Sequence, residues 1–248
     1  MRVLEIWRYP VKSMQGERVD RVDVQPHGVF GDRGYALFDL ETGFGLTARR
    51  RPELLFASAA ARPDGTVSIT LPDGSVAAGD DALSRWLGHP VTLRSAAQPG
   101  DRVYESPADF EHDADWEPFR GATGAFHDSG RANVSVVSTA TMCEWPWRRF
   151  RPNVVVDGAD EDSLVGSRIH LGSVTLDVRA RIKRCVMVTR PQPDGIDKDL
   201  DILRTIHRER DGYLAVGCSV VAPGTISVGD ELERSPRRDQ DDQRAQQA

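Results

Sequence analysis

Short apolar runs bounded by turn residues dominate the first hundred positions. Residues 3–7 are apolar and β-prone, and Tyr9-Pro10 closes the run. In residues 18–24, Val19, Val22 and Val24 are interleaved with charges, as on a half-buried strand. Residues 35–40 and 44–48 flank Glu41-Thr42-Gly43, and residues 67–71 and 75–78 flank Pro72-Asp73-Gly74. Both arrangements predict hairpins, because the intervening residues supply turn chemistry. Residues 80–87 predict a short helix, acidic at its start and followed by Gly88. Residues 91–94 predict a further strand.

The pattern breaks at residues 97–130, where acidic residues from Asp101 to Glu117 sit among prolines and glycines. This predicts a solvated connection and the best domain boundary. Beyond it, strands are predicted at 133–137, 153–156, 174–178 and 186–189, with a helix around 139–145. Residues 197–210 are the strongest helix. Its aspartates come first and its arginines last, matching the helix dipole, and Ile202, Leu203 and Ile206 share one face. Strands at 213–221 and 225–232 close the pattern. From Arg234 onward the chain is polar without apolar periodicity, which predicts a disordered tail. Many short strands with frequent turns imply barrel-like, mainly β (α+β) architecture with peripheral helices. No glycine-rich dinucleotide or Walker loop is present.

A formal net charge of −6 argues against general nucleic-acid binding. No apolar stretch is long enough for a membrane helix, and the charged N-terminus lacks a signal-peptide core. Cys143, Cys185 and Cys218 are isolated and form no zinc or disulfide pattern. A reducing cytoplasm is the expected compartment.

Four clusters carry candidate chemistry. In Lys183-Arg184-Cys185, adjacent cations favour the thiolate, the form that attacks or binds a metal; the alternative is a cysteine packed as a small hydrophobe. Lys12-Ser13, after the first strand, can grip a phosphate, or can be an ordinary turn. Gly31-Asp32-Arg33-Gly34 offers a guanidinium fork on a tight backbone, or a local Asp–Arg pair. Arg151-Pro152-Asn153 offers a cation and an amide for a heterocycle edge, or simply feeds a buried strand. His127-Asp128-Ser129 can add an acid and a hydroxyl, or lie in a plain loop, where a lone histidine is more often a surface residue.

The order of these clusters resembles the MOSC superfamily, in its two-domain members with an N-terminal β-barrel-like domain. The resemblance is carried by Ile6-Trp7-Arg8-Tyr9-Pro10-Val11-Lys12-Ser13, Gly31-Asp32-Arg33, Leu46-Thr47-Ala48-Arg49, Phe150-Arg151-Pro152-Asn153, Arg184-Cys185 and residues 223–230. It implies an N-terminal β-rich domain at 1–98, a linker and MOSC β-barrel at 99–233, and the tail at 234–248. It also implies a molybdenum cofactor, Mo-molybdopterin, in a cleft between the domains. By this resemblance Cys185 is the thiolate on molybdenum, and Lys12, Ser13 and Arg33 hold the phosphate end of the pterin. Ser129, Arg151, Asn153 and Arg184 bind other polar atoms of the cofactor. Asp128 falls at the position of the family's acid near the metal, Lys183 is expected with Arg184 to stabilise the thiolate, and Asp128 or a water is the expected proton carrier.

The expected activity is reduction of N-hydroxylated small molecules such as hydroxylamines, amidoximes and N-hydroxylated bases. Sulfur transfer through a Cys185 persulfide and non-catalytic cofactor carriage are the alternatives. No cysteine follows Cys218, so electrons are expected from a separate flavin or iron–sulfur protein. Neither nucleic acid nor membrane is an expected partner. The chain departs from the family at Gly217, where relatives often carry a tyrosine facing the cofactor.

Overall fold

The computed structural model describes residues 1–109, 111, 114–128, 130 and 132–235. The first strands in chain order are β1 (Val3–Arg8), β2 (Glu17–Val19), β3 (Arg21–Gln25), β4 (Gly28–Val29) and β5 (Tyr35–Asp39). Next come β6 (Ser58–Ala61), β7 (Val67–Thr70), β8 (Val91–Ser95), β9 (Val103–Asp109) and β10 (Ala114–Arg120). The last are β11 (Val134–Ser138), β12 (Val154–Val156), β13 (Arg168–Leu171), β14 (Val174–Lys183), β15 (Tyr213–Ala222), β16 (Gly224–Ser227) and β17 (Leu232–Ser235). The α-helices are α1 (Asp80–Leu87), α2 (Thr139–Met142) and α3 (Asp201–Arg210). None of the described helices is long and apolar enough to cross a membrane.

The fold is mainly β. Eight strands form one curled, half-barrel sheet in the order β17-β13-β14-β15-β11-β12-β1-β2, antiparallel except between β11 and β12. A smaller sheet of β16, β3 and β4 covers one face. Val22, Val24 and Ile226 from it share a core with Ile6, Val136, Val154, Leu176 and Val216. On the other face Val137, Val155 and Leu214 meet Ile202, Leu203 and Ile206 of α3. Both faces are buried, which is why β12 reads as an unbroken valine run rather than an alternation. Residues 3–29 thus hydrogen-bond and pack with the C-terminal strands. The β5–β8 and β6–β7 pairs, with α1, surround a separate core of Val11, Met14, Leu37, Leu55, Ile69 and Leu83.

Several expected elements change. Residues 103–120 are not a bare solvated connection: β9 and β10 form a hairpin, because Tyr104 and Phe119 pack with Phe38 and Phe126. Residues 186–189 form a 3-10 helix instead of a strand. The Thr189 hydroxyl donates to the Val186 carbonyl at 2.8 Å, and Arg149 Nη1 takes the carbonyls of Val188 and Arg190, each at 3.1 Å. Those carbonyls are therefore engaged away from any strand partner. Residues 44–48 and 75–78 make only isolated bridges, Phe38 to Gly45 and Thr70 to Val76. Residues 18–24 and 225–232 each divide between two sheets. The short alanine strand β6 and the strand β13 had no clear apolar signal. Arg234 and Ser235, expected in the tail, extend β17 beside β13; residues 236–248 lie outside those described.

Candidate functional site

A cavity of about 480 Å³ opens between the N-terminal segments and the C-terminal sheet. Its lining comes from loops at strand ends, the usual place for functional side chains on a rigid frame. Lys12 and Ser13 follow β1, Arg33 precedes β5, Arg151 and Asn153 lead into β12, and Arg184 and Cys185 follow β14. Ser13, Arg33 and Arg151 have φ of 68°, 49° and 50°. Left-handed backbone at non-glycine residues costs on the order of 1–3 kcal/mol each and collects at functional sites. Here it is held by the Arg33 amide donating to the Tyr9 carbonyl at 2.7 Å and the Ala48 amide donating to Ser13 Oγ at 3.0 Å. At the other wall, bulges between Val178 and Ala180 and between Arg181 and Lys183 interrupt β14. They explain how the consecutive residues 180–183 all line the cavity, where a regular strand would turn alternate side chains away.

The lining is strongly cationic. Lys12, Arg33, Arg49, Arg151, Arg181, Lys183 and Arg184 face it, against one carboxylate among the described residues, Asp128. Asp128 pairs with Lys12 through one oxygen and with Arg49 through the other. Burial alone would raise its pKa, but Arg49 and Lys12 outweigh that and hold the carboxyl far below the usual range. The Asp128 side chain is nevertheless 45% accessible; because it lines the cavity, the solvent that reaches it is that of the cleft. Burial lowers the Lys12 pKa, with Asp128 opposing. Lys12 also donates to the Phe126 carbonyl at 2.9 Å and stands 4.6 Å from the centre of the Tyr104 ring. Arg33 pairs with Asp32, and its Nη2 donates to the Arg151 carbonyl at 3.3 Å. Burial, then the charge of Arg33, depresses Arg151 to about 10; burial likewise depresses Arg184 to about 10. Arg49 Nε, Arg151 Nη2 and Arg184 Nε are buried N–H groups with no hydrogen-bond partner among the described residues.

Cys185 is partly exposed on the cavity wall and not sealed in the interior, whereas Cys218 packs in the core with its thiol pushed up to about 12 by burial. The cations whose charges act on Cys185 are Arg49 and Arg184. Lys183, expected beside them, is exposed at the cavity mouth.

Every other predicted site residue lines this cavity except Ser129, which lies outside the described residues. Two expected roles need correction. Asn153 is buried, and its Oδ1 accepts from the Ser135 amide at 3.1 Å and hydroxyl at 3.0 Å while its Nδ2 donates to the Trp7 carbonyl at 3.3 Å. It ties β1, β11 and β12 together rather than offering a free amide. Asp128 is a fixed anion and does not store a proton at neutral pH. Sequence reasoning missed Arg49 and took His127 as a loop residue. Arg49 ends the Leu46-Thr47-Ala48-Arg49 stretch, the only local signal it had. His127 lines the cavity, and burial followed by Arg33 holds its pKa down at about 4. Gly217 also faces the cavity, and a Cβ there would lie 2.4 Å from the Ala132 Cβ. The Ala132 segment occupies the space a side chain at 217 would need.

These residues fit a polyanionic ligand. Several deep cations and three unpartnered buried N–H groups suit phosphate and thiolate charges, and Phe150, Ile182 and Val188 give an apolar wall for a heterocycle. No group of three His, Cys, Asp or Glu side chains converges among the described residues. A metal at Cys185 would therefore need donors from the organic ligand as well.

The profile of the MOSC N-terminal beta barrel domain matches residues 1–102, and that of the MOSC domain matches residues 121–233. No curated protein matches the sequence. Among solved structures, the YUAD protein from Bacillus subtilis is 15% identical over 95% of this chain and 96% of its own, with a TM-score of 0.44. YiiM from Escherichia coli is 17% identical over 56% of this chain and 71% of its own, with a TM-score of 0.36. YiiM from Geobacillus stearothermophilus is 16% identical over 43% and 55%, with a TM-score of 0.35. On its two domain matches, which together span most of the sequence, the chain belongs to the MOSC superfamily, with a MOSC N-terminal β-barrel domain ahead of its MOSC domain.

Proposed function

We propose that this protein is a molybdenum-cofactor-binding oxidoreductase that reduces N-hydroxylated compounds. The observation that carries the reading is an accessible thiol, Cys185, sharing one cavity with a set of cations that keep unpartnered buried N–H groups. Cys185 would hold the metal. Lys12, Ser13, Arg33, Arg151 and Arg184 would hold the anionic pterin, with Arg49 steadying the sulfur. The cofactor supplies two electrons and an acceptor for the oxygen of the N–OH group.

The net reaction takes R–NH–OH, two electrons and two protons to R–NH2 and water. Neither Asp128, held ionised, nor His127, held neutral, carries a spare proton at pH 7. The protons therefore come from water in the open cleft, with Asp128 as a fixed acceptor that orders it. Electrons would come from a separate flavin or iron–sulfur protein, and a cytoplasmic location would keep Cys185 reduced.

The test is protein purified from a host that makes the cofactor. Elemental analysis should find about one molybdenum per chain, lost in Cys185→Ser, and a reduced viologen dye should drive reduction of benzamidoxime. Molybdenum without turnover would instead indicate a carrier. A Cys185 persulfide without molybdenum would indicate sulfur transfer.

A further inference from the structure

We propose that Arg181 and Lys183, at the mouth of the cavity, bind an anionic substituent, a carboxylate or a phosphate, on the N-hydroxylated substrate. This rests on the function proposed above and narrows its substrate class.

The cations of the cavity differ in depth and in compensation. Lys12, Arg49 and Arg151 are buried, with 5–7% of each residue exposed. Lys12 and Arg49 are paired with Asp128, and Arg33 with Asp32. Arg181 is different: 37% of its side chain is exposed, and its ion-pair partner, Asp211, lies 4.0 Å away and is 85% exposed. A pair that long and that wet neutralises little charge. Lys183 is exposed and has no ion pair among the described residues. The deep set, with its unpartnered buried N–H groups, suits the cofactor, which leaves the two outer charges for another anion.

Both outer side chains are aimed by the backbone. Arg181 and Lys183 are two positions apart on β14, so both present their side chains to the cavity wall, and Lys183 stands opposite Tyr213 in the β14–β15 register. Arg181 stacks 4.6 Å from the centre of the Tyr213 ring, which holds the guanidinium extended without neutralising it. Lys183 is two residues from Cys185, so their Cα atoms are at most roughly 7 Å apart. A substrate ring reaching from the Cys185 side of the cavity to these two charges would lie along Ile182 and Tyr213, which line the wall between them.

The experiment compares kcat/KM for benzamidoxime, 4-carboxybenzamidoxime and a benzamidoxime bearing a para phosphate ester, each with the viologen donor. The expected result is a preference of about tenfold for at least one anionic substrate over the neutral one. That preference should shrink when salt is raised to about 0.5 M. In the Arg181→Gln/Lys183→Gln double variant the preference should disappear, and in the Glu/Glu variant it should reverse. The readout is a ratio within one preparation, so differences in folding or cofactor content divide out. The two anionic arms show whether carboxylate or phosphate is the better fit. Equal use of neutral and anionic substrates by the wild type, or an unchanged ratio in the double variant, overturns the proposal. A molybdenum-loaded protein that reduces none of the three overturns the functional reading itself, and this one with it.

Discussion

Asp128 and His127 are neighbours with opposite electrostatic fates. Lys12 and Arg49 keep Asp128 charged, while burial beside Arg33 keeps His127 neutral. The depressed Asp128 pKa contributes stability that is present above the ordinary carboxylate value and lost only as the pH falls through the lower, folded value. His127 acts in a different window. Its pKa drops from 6.5 to about 4, so the unfolded chain binds the extra proton first and stability falls as the pH goes from about 6.5 to 4. The full effect is up to about 3 kcal/mol, reduced by cleft solvent. Urea midpoints measured at pH 7 and pH 4.5 should fall much less in His127→Gln than in wild type, and equal falls would remove His127 as the cause. Arg151 makes a second prediction. It is a buried cation whose Nη2 has no partner among the described residues, and relief of that charge offsets the lost bond to the Met14 carbonyl, so Arg151→Met should change the stability of the cofactor-free protein by no more than about 1 kcal/mol. The same variant should retain less than about a tenth of the wild-type molybdenum after purification, because a charge-assisted contact to the anion is gone. A melting temperature and an elemental analysis of one preparation check both halves.

Tyr104 is the most deeply buried anchor of the β9–β10 hairpin, with Phe119 packed beside it. Tyr104 is fully buried, and added Cβ atoms at Gly45 and Gly121 would lie 2.2 and 2.5 Å from its ring carbons. The ring also lies under Lys12, so the hairpin reaches the cation cluster through Tyr104. Its hydroxyl is buried without a partner among the described residues. Tyr104→Phe should therefore be neutral or stabilising, since it removes an unsatisfied polar group. Gly121→Ala should cost roughly 1–3 kcal/mol through overpacking and should also disturb the Lys12 end of the site. Chemical denaturation of the two variants distinguishes this from a loosely attached hairpin, in which neither change would matter.

Segments from both halves of the chain build the large sheet and the cavity together. β1 lies between β2 and β12, and β3 pairs with β16. The halves are further joined across the site: Arg151 donates to the Met14 carbonyl, Arg190 to the Arg49 carbonyl, and Gln15 Nε2 to Gln192 Oε1 at 3.1 Å. A fragment of residues 99–233 would lack β1 to β4 and expose the valine edge of β12. It should be unfolded or aggregated when expressed alone, by circular dichroism and size exclusion, whereas the whole chain should unfold in one transition. A folded, monomeric fragment would show that residues 3–29 are dispensable to the sheet.

Local chemistry was legible from residue order alone. The valine runs became strands, Asp80–Leu87 became α1 with Gly88 in the left-handed conformation that ends it, and the Cys185, Lys12, Arg33 and Arg151 clusters met in one cavity. Those features depend on neighbours in sequence: periodicity, turn residues and caps act over a few positions. Contacts across the chain followed from folding alone. Asn153 is tied up because Ser135 and Trp7 come to it, Asp128 is pinned because Lys12 and Arg49 converge on it, and residues 186–189 coil because Arg149 takes their carbonyls. The charge state and free valences of a side chain depend on what surrounds it in space, and partners 18 to 146 positions distant leave no mark on the local pattern.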